Sequence, residues 1–339
     1  MIRVAINGYG RIGRNVHRQF LDSYAKEVDV VAVNASSDAA MRSYLLKYDS
    51  LHGILKHDVK VTGTDFSVDG KTVKVVREKD PAKCPWKELD VDIVIESTGH
   101  FTSKDTAGGH LAAGSKKVIV TAPMKDDTPM FVKGVNDKGL TKEMHIISNA
   151  SCTTNCIAPV IQLMDNAYGI EYLLVSSVHA FTASQLLLDN KSQEGNEELR
   201  RARAATLSVI PTKTGAVKAC AKIFPHLKGR IDGMAFRVPV PTVSCAYMAF
   251  TLKNPTTKED IHARIKTASE SKEMKGILAL SEEQCVSIDF QTDPHSSIVD
   301  APSTKVVSDK AVQLLSWYDN EWGYAMRVTE MTLSVASFL

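Results

Sequence analysis

A cysteine set among small hydroxyl and amide side chains, in the run SNASCTTNC at residues 148–156, is the feature of this chain best suited to covalent chemistry. A thiol acts as a nucleophile in its thiolate form, which a helix N-terminus favours through unpaired backbone amides and the positive end of the dipole. Directly after Cys152, residues Ile157, Val160, Ile161 and Met164 recur at i, i+3, i+4 and i+7, the spacing of an amphipathic helix. Cys152 is therefore expected at or near a helix N-terminus. Cys156, one turn on, is expected to point into the packed body as an inert core residue. A reactive thiol also needs a base. The strand-like YLLVSSVHAFTASQ carries His179 at its end, and an imidazole beside Cys152 can take its proton and hold the thiolate as an ion pair. Spacing alone does not put the two in contact, and the alternative for a lone histidine is a structural or surface role.

The N-terminus carries a second pattern. In MIRVAINGYGRIGRNVHRQFL, Ile2, Val4 and Ile6 alternate up to Gly8, Gly10 and Gly13, and Ile12, Val16 and Phe20 then recur every four residues. That order is strand, glycine turn, helix. One glycine permits a tight turn, one lets backbone amides approach a pyrophosphate, and one allows close packing of helix on strand. A second strand, VDVVAV, follows at a suitable distance, so the pattern reads as a dinucleotide site; a turn that only permits packing is the alternative. DVDIVIESTG at 90–99 and KKVIVTAP at 116–123 read as buried parallel strands. Ligands of open α/β sheets gather at the carboxyl ends of such strands, which makes Ser97, Thr98, Gly99 and Thr121 candidates for the cofactor crevice. Each is otherwise a turn residue.

The whole chain must position these two patterns. Its 339 residues, 44% of them apolar, suggest about two domains, each with a core of its own. Lysine plus arginine number 41 against 39 acidic residues, a formal charge of +2, so no global field argues for nucleic acid or membrane partners. The opening MIRVAING already reads as strand, with no signal peptide, and no apolar run approaches a membrane span. A cytoplasmic, reducing setting is expected. Six scattered cysteines without paired metal-ligand spacings argue against a disulfide framework or a zinc site, and no metal is expected.

From the glycine turn onward the chain resembles the phosphorylating glyceraldehyde-3-phosphate dehydrogenases. The strings that carry the resemblance are INGYGRIGR, SNASCTTNC, VHAFTASQ, MAFRVPVP and SWYDNEWGY, in this order along nearly the whole length. The resemblance implies an α/β fold: an N-terminal Rossmann domain at 1–150, an α+β catalytic domain with a largely antiparallel sheet at 151–317, and a C-terminal helix within 318–339 returning to the first domain. Tyr324, Val328, Met331, Val335 and Phe338 form one apolar stripe suited to that docking. A homotetramer is implied too. The implied reaction is oxidation of glyceraldehyde 3-phosphate to 1,3-bisphosphoglycerate, with Cys152 as nucleophile, His179 as base, a thioester intermediate and a nicotinamide cofactor.

The same resemblance places the other ligands. The substrate phosphate falls to Thr182, Ser184 and Arg237, and the attacking inorganic phosphate to Ser151, Thr153, Arg201, Thr214 and Gly215. Hydroxyls and guanidinium forks suit oxyanions. For Arg200, Arg201 and Arg203 a solvated basic helix end is the alternative. The cofactor set comprises Asn7, Gly8, Gly10, Arg11, Ile12, Gly13, Asn34, Ala35, Ser36, Lys79, Ser97, Thr98, Gly99 and Thr121, with Lys191, with Asn320 on the nicotinamide amide and with Tyr324 near the ring.

Departures from the family pattern concern cofactor choice. NAD-specific members carry Asn-Asp after the second strand, the aspartate accepting from the adenosine ribose; this chain reads Asn34, Ala35, Ser36, Ser37. Without that carboxylate a ribose acceptor is lost, as is the charge that repels a 2′-phosphate. The longer loop LDNKSQEGNEELRRARA places Lys191 where the family's loop meets the adenine ribose of a neighbouring subunit. NADP use is thus expected, with NAD the alternative if Asp38 takes over the missing role or the site is dual. Erythrose-4-phosphate dehydrogenases share the cysteine, the histidine, LLKYDS and DPHSSIVD, and stand as the second activity; Thr182 and Thr214-Gly215 favour the triose.

Overall fold

The computed structural model describes residues 1–191 and 195–339. The chain forms two compact units. One comprises residues 1–131, 137–150 and 325–339; the other comprises 132–136 and 151–324.

The first unit is built on eight strands: β1 (Ile2–Asn7), β2 (Val28–Asn34), β3 (Val59–Thr62), β4 (Asp65–Val68), β5 (Lys71–Val76), β6 (Ile93–Glu96), β7 (Lys117–Val120) and β8 (Ile146–Ser148). They lie in the order β8-β7-β6-β1-β2-β5-β4-β3. The six from β8 to β5 run parallel, while β3 and β4 continue the edge as an antiparallel meander. Parallel strands covered on both faces need unbroken apolar runs, and every residue of β6 and β7 is buried. Helix α1 (Arg11–Ser23) leaves β1 and α2 (Ala39–Lys47) leaves β2. Strand order reverses beside β1, whose neighbours are β2 on one side and β6 on the other, so the carboxyl ends of β1 and β6 border a crevice suited to a ligand.

The second unit carries β9 (Ile170–Ala180), β10 (Ile210–Thr212), β11 (Ile231–Val238), β12 (Ser244–Leu252), β13 (Leu278–Ser281), β14 (Ser297–Asp300), β15 (Lys305–Val307) and β16 (Ala311–Tyr318). Their order is β10-β11-β9-β12-β16-β14-β13, with β15 on β16. Pairing is largely antiparallel, apart from β9 with β11 and β13 with β14. Helix α3 (Cys152–Tyr168) packs on one face of this sheet through Ile157, Val160, Ile161 and Met164, all buried. Alternation along β9 sends Leu173, Val175, Ser177 and His179 inward and leaves Leu174 exposed. Two further helices, α4 (Ala216–Ile223) and α5 (Lys258–Glu270), belong to this unit.

The last helix, α6 (Trp322–Ala336), starts later than the expected boundary at 318, because Tyr318 still belongs to β16 and Asp319 caps the turn. The Asp319 carboxylate accepts from the amides of Glu321 and Trp322 at 2.9 Å each. Of the expected apolar stripe, Tyr324, Val328, Met331 and Val335 are buried and Phe338 is partly so. Among the described residues, no helix is long and apolar enough to cross a membrane, and no cluster of three or more His, Cys, Asp or Glu is arranged to hold a metal ion.

Candidate functional site

In the first unit the three glycines divide their work by geometry. Gly8 sits at φ +92°, and a Cβ there would lie 2.6 Å from the Thr98 amide. At Gly13 a Cβ would come within 2.4 Å of the Gly8 carbonyl and 2.9 Å of Ile6, so only glycine lets α1 lie this close to β1. Gly10 faces open space within 4 Å and begins α1 without a side-chain cap, the form of a helix N-terminus that receives a pyrophosphate. Ser97 fixes the turn by donating its hydroxyl to the Gly8 carbonyl at 2.6 Å. The residues therefore fit a dinucleotide.

Beneath the turn lies a buried polar network that sequence reading missed, centred on Glu96. Its carboxylate accepts from Asn7 Nδ2 at 2.5 Å, from the Thr98 amide at 2.8 Å and from the Thr98 hydroxyl, and it meets His110 Nε2 at 3.1 Å. Asn34 Nδ2 in turn donates to Asn7 Oδ1 at 2.6 Å and to the Glu78 carbonyl at 2.7 Å. The side chains of Asn7 and Asn34 thus serve to tie strand ends together. A glutamate ending an apolar strand was the available signal. Arg11, another cofactor candidate, turns its guanidinium to Asp49, with Nη1 at 2.5 Å from Oδ2. Ile12 and Thr121 are partly buried, Gly99 stands at φ +75°, and Lys79 is exposed.

At the end of β2, Ala35 donates its amide to the Val76 carbonyl at 3.0 Å, drawing the Ala35-Ser36-Ser37 loop against the end of β5. Asp38 is the N-cap of α2, its carboxylate accepting from the Met41 amide at 3.0 Å. That carboxylate is engaged in capping, which opposes its use as a substitute ribose acceptor.

In the second unit Cys152 is the first residue of α3 and Ser151 its N-cap, accepting from the Thr154 amide at 3.1 Å. Just before them, Ala150 adopts φ +55°, an unusual left-handed conformation for a residue with a Cβ. Strand β9 delivers His179 so that its Nε2 lies 3.4 Å from the Cys152 sulfur. The parallel pairing of β9 with β11 sets Arg237 directly opposite His179. Its Nη1 lies 2.8 Å from His179 Nδ1 and donates to the Ala180 carbonyl at 3.0 Å. His179 Nδ1 also lies 2.7 Å from that carbonyl; a proton on Nδ1 donated there leaves Nε2 to accept from the thiol, whereas accepting from Arg237 at Nδ1 puts the proton on Nε2. Tyr318, unforeseen from the sequence, packs beside the pair: its hydroxyl lies 2.9 Å from Thr153 Oγ1 and 3.1 Å from Ser177 Oγ, and its ring meets His179 edge-on.

Burial dominates the electrostatics. It pushes the Cys152 thiol up, against the lowering effects of the Arg237 charge and of a hydrogen bond with Thr153. Burial likewise drives His179 down to about 3, helped by Arg237 and opposed by the Ala180 carbonyl. Desolvation of the packed sulfur thus works against the helix N-terminus, which favours the thiolate, and the thiol still needs a base. A lone thiolate and a lone imidazolium are each disfavoured here by burial. Cys156 is fully buried, and burial raises its thiol to about 12.

The oxyanion candidates fall into separate groups. Thr182 and Ser184 pair through their hydroxyls at 3.0 Å. Arg201, Thr214 and Gly215 line one cavity of about 960 Å³ together with Arg200, Lys213 and Lys218. Arg201 Nε donates to Thr212 Oγ1 at 3.0 Å, and Thr212 in turn donates to Glu198. The Ser151 and Thr153 hydroxyls are held by Thr154 and Tyr318 respectively. Asn320 is buried, its Oδ1 accepting from Ser244 at 2.9 Å. Arg203 turns away to Asp189, and Lys191 is exposed. The lengthened loop falls partly outside the described residues, at 192–194.

Comparison with known proteins agrees across both units. A family model described as the glyceraldehyde 3-phosphate dehydrogenase NAD binding domain matches residues 2–104, and one described as the C-terminal domain of the same enzyme matches 151–320. The glyceraldehyde-3-phosphate dehydrogenase of Streptomyces coelicolor is 48% identical over 339 residues, covering 100% of this chain and 99% of its own. Glyceraldehyde-3-phosphate dehydrogenase 2 of Bacillus subtilis is 46% identical, covering 99% of this chain and 97% of its own. The chloroplastic enzyme GAPA1 of Arabidopsis thaliana is 45% identical, covering 99% of this chain and 84% of its own.

Proposed function

This chain belongs to the glyceraldehyde-3-phosphate dehydrogenase family of nicotinamide-dependent oxidoreductases, and we propose that it oxidises D-glyceraldehyde 3-phosphate with inorganic phosphate through a Cys152 thioester, using NADP in preference to NAD. The observation that carries the chemistry is the 3.4 Å approach of His179 Nε2 to the Cys152 sulfur. As Cys152 adds to the aldehyde carbon, its proton passes to His179, which hands it on to the former carbonyl oxygen, so that a hemithioacetal forms and the imidazole is again free to act as a base. The cofactor, when bound, supplies the acceptor for the hydride that leaves that carbon. His179 takes the hydroxyl proton of the hemithioacetal as the carbonyl of the thioester forms. A phosphate oxygen then attacks the thioester, the carbon–sulfur bond breaks, His179 returns its proton to the leaving sulfur, and 1,3-bisphosphoglycerate leaves with Cys152 and His179 restored. In this reading Arg237, which touches His179, receives the substrate's phosphate with Thr182 and Ser184, and the attacking phosphate enters the basic cavity lined by Arg201, Thr214 and Gly215.

The NADP preference rests on the Ala35-Ser36-Ser37 loop and on Asp38 being engaged as a helix cap. Steady-state oxidation of glyceraldehyde 3-phosphate with each cofactor tests it. The kcat/KM ratio should favour NADP and should move toward NAD in Ala35→Asp; a native preference for NAD that Lys191→Ala leaves untouched contradicts it. Erythrose 4-phosphate assayed in parallel should turn over more slowly than the triose.

A further inference from the structure

We propose that Arg42 is a specificity-determining residue for the adenosine 2′-phosphate, acting with Ser36, Ser37 and Arg77, an assignment that rests on the NADP reading above. Arg42 belongs to α2, yet its guanidinium reaches back over the loop that precedes the helix. Nη2 donates to Ser36 Oγ at 3.3 Å and Nη1 to the Tyr9 carbonyl at 3.3 Å. Both contacts are at the long end for hydrogen bonds, so the group is held in place without being saturated. Arg42 Nε and Ser37 Oγ are buried with no hydrogen-bond partner among the described residues. Buried donors of that kind call for an acceptor.

From the other side, Arg77 Nη2 donates to the Ser36 carbonyl at 3.1 Å. Two guanidinium groups, one from α2 and one from the end of β5, therefore flank a single serine. Among the described residues neither forms an ion pair with a carboxylate, whereas Arg11 is paired with Asp49. Two cations held on one serine without a direct ion pair suit a phosphate dianion, which accepts several charge-assisted hydrogen bonds at once, although Arg42 does feel the charge of Asp38. A ribose 2′-hydroxyl, by contrast, asks for an acceptor, and Asp38, the carboxylate on this loop, is engaged by the Met41 amide. Because Tyr9 stands between Gly8 and Gly10, Arg42 also connects the loop that would read the 2′ position to the turn that would hold the pyrophosphate.

The test is calorimetric titration with adenosine 2′,5′-bisphosphate and with adenosine 5′-monophosphate, which differ only in the 2′-phosphate. It is run on the native enzyme, Arg42→Gln and Arg42→Lys, beside the NADP to NAD ratio of kcat/KM for each. The native enzyme should bind the bisphosphate more tightly. Arg42→Gln should lower the affinity ratio about tenfold or more, as loss of a charge-assisted hydrogen bond does, and Arg42→Lys should restore part of it. If the native enzyme prefers the bisphosphate and Arg42→Gln leaves both ratios in place, or weakens the two ligands equally, the assignment to Arg42 falls while the NADP reading stands. If the native enzyme binds both ligands alike, the NADP reading fails and takes this assignment with it.

Discussion

Cys152 and His179 are each penalised by burial when charged alone, and the consequence is a testable interdependence. Alkylation of Cys152 by iodoacetamide reports its thiolate. With His179 in place, proton transfer across the pair should allow reaction near neutral pH. In His179→Asn the thiol titrates by itself, and burial has raised it above the ordinary thiol range, so alkylation should slow by about tenfold or more at pH 7 and recover only at alkaline pH. An unchanged rate would break the link between the two residues. Cys152→Ser should abolish oxidation while cofactor binding persists; turnover near the native level in that variant would exclude a covalent role.

Elements place these residues, and their placing was legible to different degrees. The i, i+3, i+4, i+7 recurrence located α3 and hence the position of Cys152, because a one-sided apolar stripe is a local property of sequence. Alternation likewise located β1. The facing of His179 and Arg237 was not legible from pattern, since it comes from parallel pairing of strands 58 residues apart, which no local period encodes. Family likeness singled out Arg237, but only the register explains why it touches His179. Arg42 escaped notice because an arginine within a short helix reads as solvated surface. Glu96 and Tyr318 escaped because most of their partners lie on other elements, Asn7 and His110 for the one, Thr153 and Ser177 for the other.

Two predictions belong at this scale. Gly13→Ala would drive a Cβ to 2.4 Å from the Gly8 carbonyl, so the turn must shift. Stability should fall by about 1–3 kcal/mol and cofactor affinity with it, measured by denaturant unfolding and titration. The Arg11 contact with Asp49 gives a pH signature. Burial raises that carboxyl, but Arg11 and the amides of His52 and Leu51 outweigh it, and its pKa settles at about 2. A depressed carboxylate stabilises the fold above its unfolded value and loses that contribution as pH falls through about 2. The gap in melting temperature between the native chain and Asp49→Asn should therefore be full near pH 6 and shrink on acidification.

For the whole molecule, the second unit leaves apolar side chains open to solvent on the sheet face away from α3. Tyr172, Leu174 and Met234 are exposed there, as are Leu187, Leu188, Leu207 and Val209 in the segment beyond β9. Patches of this kind mark association surfaces. A homotetramer is expected, and light scattering should return four times the chain mass, falling in Leu174→Asp; a monomer for the native chain would contradict it. The central claim, a phosphate-dependent oxidation through a thioester on Cys152, is tested most directly by rapid mixing of enzyme, cofactor and glyceraldehyde 3-phosphate without inorganic phosphate. The account predicts a burst of reduced cofactor approaching one equivalent per chain, followed by steady turnover only when phosphate is added. No burst, or a burst that survives in Cys152→Ser, would contradict it.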